Sequence, residues 1–234
     1  MNMPLQTSLR ILPLQNGDRL TRDEFERRYF AMPHVNKAEL IEGVVYMPSQ
    51  ERLRVCAQYR MALTLWIGTY TAYTFGLSAG LNSTVKIDQN NELQPDIVIL
   101  IKPKFGGQIR LDGEGYIHGA PEFVADVTDN IEITEWRKKR TVYLHNLISE
   151  YIVWRVYDEA VDWFVMRDGD FTPLVPDSSG ILKSANFPGL WLDVAAMLRR
   201  DLAAVLAVLN QGLASPEHAD YVAKLHAAFK PNPA

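Results

Sequence analysis

The stretch NELQPDIVIL, Asn91 to Leu100, sets a proline and an aspartate directly ahead of an apolar run. A proline opens a strand at little cost, because its missing N–H breaks no ladder bond at the first position. IVIL then reads as a buried strand. A carboxylate beside four apolar residues is costly to bury unless something pairs with it. Asp96 therefore needs a partner, and the rest of the chain can be searched for one.

A second acid of the same kind lies in PEFVADVT, 121–128, where Asp126 sits between apolar neighbours. If the two strands are adjacent, both carboxylates share one sheet edge and can share one cation. Mg²⁺ suits such a place, since it takes one or two carboxylates and keeps several waters. A third piece comes from ITEWRKKRTVYLHNLI, 133–148, a predicted helix. Glu135, Lys139, Tyr143 and Leu147 recur every four residues and so fall on one face. With Tyr143 and Leu147 read as core, Lys139 points inward, toward an acid. The alternative, weighed equally, is a lysine that runs its stem along the core and ends in water. Glu39 and Glu42 open an early hairpin in AELIEGVVYM, 38–47. Either is a candidate further metal ligand, although Glu42 in the turn reads first as an exposed acid.

Other chemistries have no support. There is no phosphate-cradling glycine loop, no zinc spacing among the five histidines, and no nucleophile elbow. The basic run Arg137–Arg140 reads as a solvated helix face. Net charge is −4 and the pI about 5.8, so a protein that coats nucleic acid non-selectively is disfavoured. A local basic cleft is still compatible with those values.

The 234 residues are 47% apolar and 22% charged, ordinary for a globular chain with a sizeable core. One cysteine, Cys56, fits a reducing compartment. The start MNMPLQTSLRILPLQ lacks the pattern of a secretion signal, and no apolar run is long enough to span a membrane. A cytoplasmic protein with no membrane partner is expected.

Three parts are expected. Residues 1–20 form an arm. Residues 21–193 form one domain. It begins with a capping box at Thr21 and a helix to Phe30, followed by the short hairpin at 38–47 and a long helix over 52–74. The segments 83–88 and 92–101 are read as a hairpin, and 102–120 as a loop. After the strand at 121–128 and the helix at 133–148 comes a three-stranded meander over 150–175. Residues 194–234 form a helical extension, with a helix from Val194 to about Leu209 and another capped by Ser215 and Pro216. The apolar face Val194, Met197, Leu198, Leu202, Val205 and Leu209 either completes the core or pairs two chains as a homodimer. The predicted fold is mixed α/β, with helices flanking a sheet.

AELIEGVVYMPS, ELQPDIVIL, PEFVADV, Lys139, Tyr143 and EYIVWRV, in that order, resemble the Uma-type restriction endonuclease family, a branch of the PD-(D/E)XK, or restriction-endonuclease-like, superfamily. The resemblance runs from about Thr21 to Asp193. FPGLWLD and SPEHADYVAKL in the tail resemble one subgroup. The resemblance implies a restriction-endonuclease-like core with a mixed central sheet, a metal site at the sheet edge, and Mg²⁺- or Mn²⁺-dependent hydrolysis of DNA phosphodiester bonds. It makes Asp96 and Asp126 catalytic metal ligands. Lys139 replaces the superfamily's strand lysine, whose position holds Thr128. Glu39 or Glu42 takes the early acidic position, with Glu42 also a candidate catalytic residue. Cys56 and Arg60 stand where the subgroup has a His-rich helix start. DNA would be held through Lys104, Arg110 and the 137–140 run. The alternative reading is a catalytically inactive nuclease-fold protein acting as a DNA-binding or assembly module.

Overall fold

The computed structural model describes residues 11–129 and 133–230, apart from the side chains of residues 50–53 and 133–134. The chain begins with α1 (Arg22–Phe30), β1 (Glu39–Ile41), β2 (Val44–Tyr46) and the long α2 (Gln50–Tyr73). Then come β3 (Leu77–Leu81), β4 (Val85–Lys86), β5 (Glu92–Leu93) and β6 (Ile97–Ile101). A 3-10 turn (Pro103–Phe105) precedes β7 (Arg110–Leu111), β8 (Ile117–His118), β9 (Phe123–Thr128) and α3 (Ile133–His145). The meander is β10 (Glu150–Arg155), β11 (Ala160–Arg167) and β12 (Asp170–Pro173). The chain then forms β13 (Ile181–Lys183), β14 (Trp191–Asp193), α4 (Val194–Arg199), α5 (Leu202–Leu213) and α6 (Pro216–Ala228).

Two mixed sheets carry the architecture. One has the order β2-β1-β5-β4-β8-β7, and the other β12-β11-β10-β9-β6-β3; β13 and β14 form a small separate ribbon. The expected hairpin forms through its first residues only, with Val85 opposite Leu93 and Lys86 opposite Glu92, and the stretch 92–101 does not continue as one arm. It breaks at Gln94-Pro95-Asp96, with β5 pairing β4 in the first sheet and β6 lying between β3 and β9 in the second. Pro95 cannot donate to a ladder, so the break falls where the ladder is weakest. The first proline-led question of the sequence thus marks a crossover between sheets. Residues 102–120, expected as a loop, contain a 3-10 turn and the short β7–β8 pair. β3 carries no strong sequence signal; its exposed positions are Ala79 and Leu81.

Alternation along the second sheet sorts its two faces. Ile97, Ile99, Ala125, Ile152 and Trp154 face α2, with its buried Leu63, Trp66, Ile67 and Tyr70. Val98, Leu100, Val124, Tyr151 and Val153 face the other way, against Val142 and Tyr143 of α3 and Ile41, Val85 and Leu93 of the first sheet. Each fully buried Leu or Ile of this kind contributes about 2 kcal/mol. α1 starts where its capping box predicts, with the Thr21 hydroxyl accepting from the Glu24 N–H.

Residues 11–20, expected as an arm, are fastened: Leu14 is buried, and the Gly17 N–H donates to the Val45 carbonyl. Residues 1–10 lie outside the described residues. The helix expected from Val194 to Leu209 is two helices, because Arg200 adopts a left-handed conformation (φ 60°) and Asp201 caps a new start. Met197, Val205 and Leu209 of the predicted apolar face are buried in the core of this chain, with Val194, Leu198 and Leu202 packed beside them. Gly212 lets α5 approach: a Cβ there would meet the Gly189 carbonyl oxygen at 2.2 Å.

Candidate active site

β6 and β9 run antiparallel, with Ile97 opposite Ala125 and Val98 opposite Val124. Continuing that register sets Asp96 opposite Asp126. Both face the α3 side of the sheet, because they share the alternation of Val98 and Val124. Two buried carboxylates are thereby placed side by side, and each has its own partners. Asp96 Oδ2 accepts from the Val127 N–H at 2.8 Å, and Oδ1 lies 3.0 Å from Lys37 Nζ and 2.9 Å from Arg60 Nε. Asp126 Oδ1 lies 3.0 Å from Lys139 Nζ, and Oδ2 accepts from the Tyr143 hydroxyl at 3.3 Å.

Lys139 points inward, as the four-residue spacing predicts, although one premise of that reading fails. Tyr143 is fully buried, but Leu147 lies beyond the helix, 66% exposed and left-handed at φ 58°. It ends α3 where glycine is favoured. What holds Lys139 inside is acid: Asp126 and, at 2.8 Å, Glu39 Oε1. Glu39 also accepts from the Gln94 N–H at 2.6 Å, so the same carboxylate ties the β5–β6 crossover to the lysine. Its Oε2 is buried without a hydrogen-bond partner among the described residues.

Burial alone would raise Asp96, but Lys37, Arg60 and Lys139, with the Val127 N–H, outweigh it and hold the carboxyl down at about 2. Burial raises Asp126, and the nearby Asp96 and Glu39 charges add to it while Lys139 opposes. Burial would discharge Lys139; Asp126, Glu39 and Glu135 reverse that and keep it firmly protonated. Tyr143 is pushed up by burial and by Asp126, so it remains a donor.

A small cleft opens onto this cluster, lined by Lys37, Pro48, Arg60, Asp96, Asp126, Val127, Thr128, Glu135, Trp136 and Lys139. Its enclosed part is about 20 Å³, room for a water or an ion rather than a nucleotide. Glu39 is not part of its wall; it stands behind Lys139. Glu42 is not brought to the site. It sits exposed in the β1–β2 turn at φ 52°, its N–H bonded to Asn91 Oδ1, because a two-residue turn points its side chain to solvent. Among the described residues, no group of three or more Asp, Glu, His or Cys is arranged to hold a metal ion as it stands.

The expected DNA-contacting cations are redistributed as well. Lys104 follows β6 whereas Asp96 precedes it, so the two lie at opposite ends of that strand. Arg110 is exposed on β7, at the sheet edge farthest from β1 and β2. The run 137–140 wraps its helix. Lys138 bonds the Tyr46 hydroxyl, Lys139 turns inward, and Arg140 covers Phe164 and Phe171. Arg137 stays exposed. The cations that do reach the cleft, Lys37 and Arg60, carried a weak signal: Lys37 shares the two-residue alternation of Glu39 and Ile41, and Arg60 lies within α2.

No helix among the described residues is long and apolar enough to cross a membrane. A comparison with curated protein sequences gives no match. Among solved structures, one titled "a putative nuclease belonging to DUF820", from Anabaena variabilis, aligns with a TM-score of 0.50 and 15% identity. The alignment covers 74% of this chain and 97% of that one, so the two share a fold. The family model described as "Uma2: Putative restriction endonuclease" matches residues 22–195, from α1 through β14 and every strand that builds the cleft. With well over half of its length matched, the chain belongs to the Uma2 restriction endonuclease family.

Proposed function

We propose that the cleft hydrolyses phosphodiester bonds of DNA with the help of a divalent cation, Mg²⁺ or Mn²⁺. The observation that carries this reading is the pairing of Asp96 and Asp126 across adjacent strands, with a buried, charged Lys139 at 3.0 Å from Asp126. The donors fit such an ion. Two carboxylates at a small water-sized void match the demand of Mg²⁺ for one or two carboxylates and several waters. When bound, the ion would lower the pKa of its water and offset charge on the phosphate. Lys139 supplies a fixed positive charge beside the reacting phosphate, in a site of low dielectric where it counts for most. Glu39 and Tyr143 orient it and Asp126 from behind. Glu39 thus acts through Lys139 as a positioning residue.

Plasmid nicking in Mg²⁺ and in Mn²⁺, beside Asp96→Ala and Lys139→Ala, tests this. Cleavage that needs the metal and both side chains is expected. Normal cleavage by either variant would overturn it.

A second reading, a DNA-binding or assembly module without chemistry, has one specific support. All four carboxylate oxygens of Asp96 and Asp126 are already engaged by a cation, a hydroxyl or a backbone N–H. Calorimetry with Mn²⁺ separates the two: metal binding that disappears in Asp96→Asn favours the enzyme.

A further inference from the structure

Lys37 and Arg60 have no part in the chemistry above, yet both converge on one oxygen, Asp96 Oδ1, at 3.0 and 2.9 Å. They come from separate elements, the segment before β1 and the middle of α2, and both line the cleft. Their side chains retain 10% and 19% exposure, against 1% for Asp96. They are therefore the part of the cluster that reaches solvent, on long stems that can swing.

The charges of the inner group nearly balance. Glu39, Asp96, Asp126 and Glu135 face Lys37, Arg60 and Lys139, four acids to three cations, a net charge of −1. A divalent cation added to this arrangement would turn it net positive by one charge, a state that is disfavoured in a buried site unless anions arrive with it or cations leave. Phosphates of a nucleic-acid backbone bring those anions, and Lys and Arg are the side chains suited to them.

We propose that Lys37 and Arg60 are exchangeable counter-ions. They hold Asp96 while the site lacks metal. As its carboxylate turns to a divalent cation, they release Oδ1 and clamp the backbone phosphates of the duplex. This rests on the nuclease reading, and it assigns two substrate-binding residues that the ordered motifs do not contain. It also makes metal and DNA binding mutually reinforcing, since each supplies the charge the other lacks.

The test uses the full chain and two single variants, Lys37→Met and Arg60→Met. Each leaves one cation on Asp96, so the fold is retained, and thermal melting checks this. Mn²⁺ affinity is read by calorimetry without DNA. Affinity for a short duplex in Ca²⁺ is read across a salt series. Each variant should bind Mn²⁺ of order tenfold more tightly, because a charge-assisted contact no longer competes. Each should bind duplex more weakly, with its salt slope reduced by about one. As a second arm, Asp96→Asn should lose Mn²⁺ binding yet bind duplex at least as well as the parent without metal, its cations having been released.

Unchanged Mn²⁺ affinity and salt slopes in both variants would overturn the proposal. If the parent's Mn²⁺ binding still needed Asp96, the nuclease reading would survive that result. Mn²⁺ binding by neither parent nor variants would overturn both. Mn²⁺ binding only by the variants would support the exchange in its strongest form.

Discussion

Two buried carboxylate sites on the same sheet are neutralised in opposite ways. Glu150, at the start of β10, is fully buried and faces α2. It accepts from the Trp163 indole at 2.8 Å, the Ser184 hydroxyl at 2.8 Å and the Asn186 N–H at 2.7 Å, all neutral donors. Burial raises its pKa, and the donors only moderate that rise. On the other face, Asp96 and Asp126 are met by three cations and open onto a cleft. Glu150 pins the loop before β14 and needs nothing from outside. The aspartates hold cations beside a cleft, and two of these, Lys37 and Arg60, are partly exposed. A buried acid by itself is thus no sign of a reaction; the kind of partner it has separates scaffold from site.

The largest expected effect breaks the cation side of this contrast. Lys139→Met leaves Asp126 and Glu39 buried without their shared cation, which should cost about 3–5 kcal/mol in urea unfolding. Should the loss be under about 1 kcal/mol, water must already reach these acids. Next comes the neutral side. Glu150→Ala strands four donors on Trp163, Ser184 and Asn186 and should cost about 2–3 kcal/mol, whereas Glu150→Gln, which keeps an acceptor oxygen, should cost about 1 kcal/mol. Equal losses from Gln and Ala would mean that the charge of Glu150, not its acceptor geometry, does the holding.

A third kind of neutralisation gives a pH signature. Glu92 is buried beside the carboxylate of Glu26, and burial followed by that neighbour raises its pKa to about 8. Its folded value lies above the usual 4.5, so its contribution is fully present below about 4.5 and is lost as pH rises through about 8. Stability should therefore decline across that window, and Glu92→Gln should flatten the decline. An unchanged profile in the variant would assign the slope to other groups. The smallest effect is expected at Glu42. Glu42→Gln should change stability by less than about 0.5 kcal/mol and leave nicking untouched, because the side chain is exposed away from the cleft.

Much of this was legible in the residues. Alternation and apolar runs located β9, β10, β11 and the long α2, and capping residues located the starts of α1 and α6. Asp96, Asp126 and Lys139 stood out because charge in an apolar setting demands a partner. Glu39 and Glu42 were indistinguishable on the sequence, three residues apart in one hairpin. Only the strand's burial and the turn's exposure sorted them.

By itself the sequence determined which segments are apolar, how they alternate, and which acids must be paired, since these follow from local periodicity and the cost of burying charge. Tertiary structure alone decided that 92–101 splits between two sheets, that Leu147 leaves the core, and that Lys37 and Arg60 reach Asp96. The last of these depends on contacts between residues 59 and 36 positions apart, and no local pattern encodes which distant side chain will fill a given space.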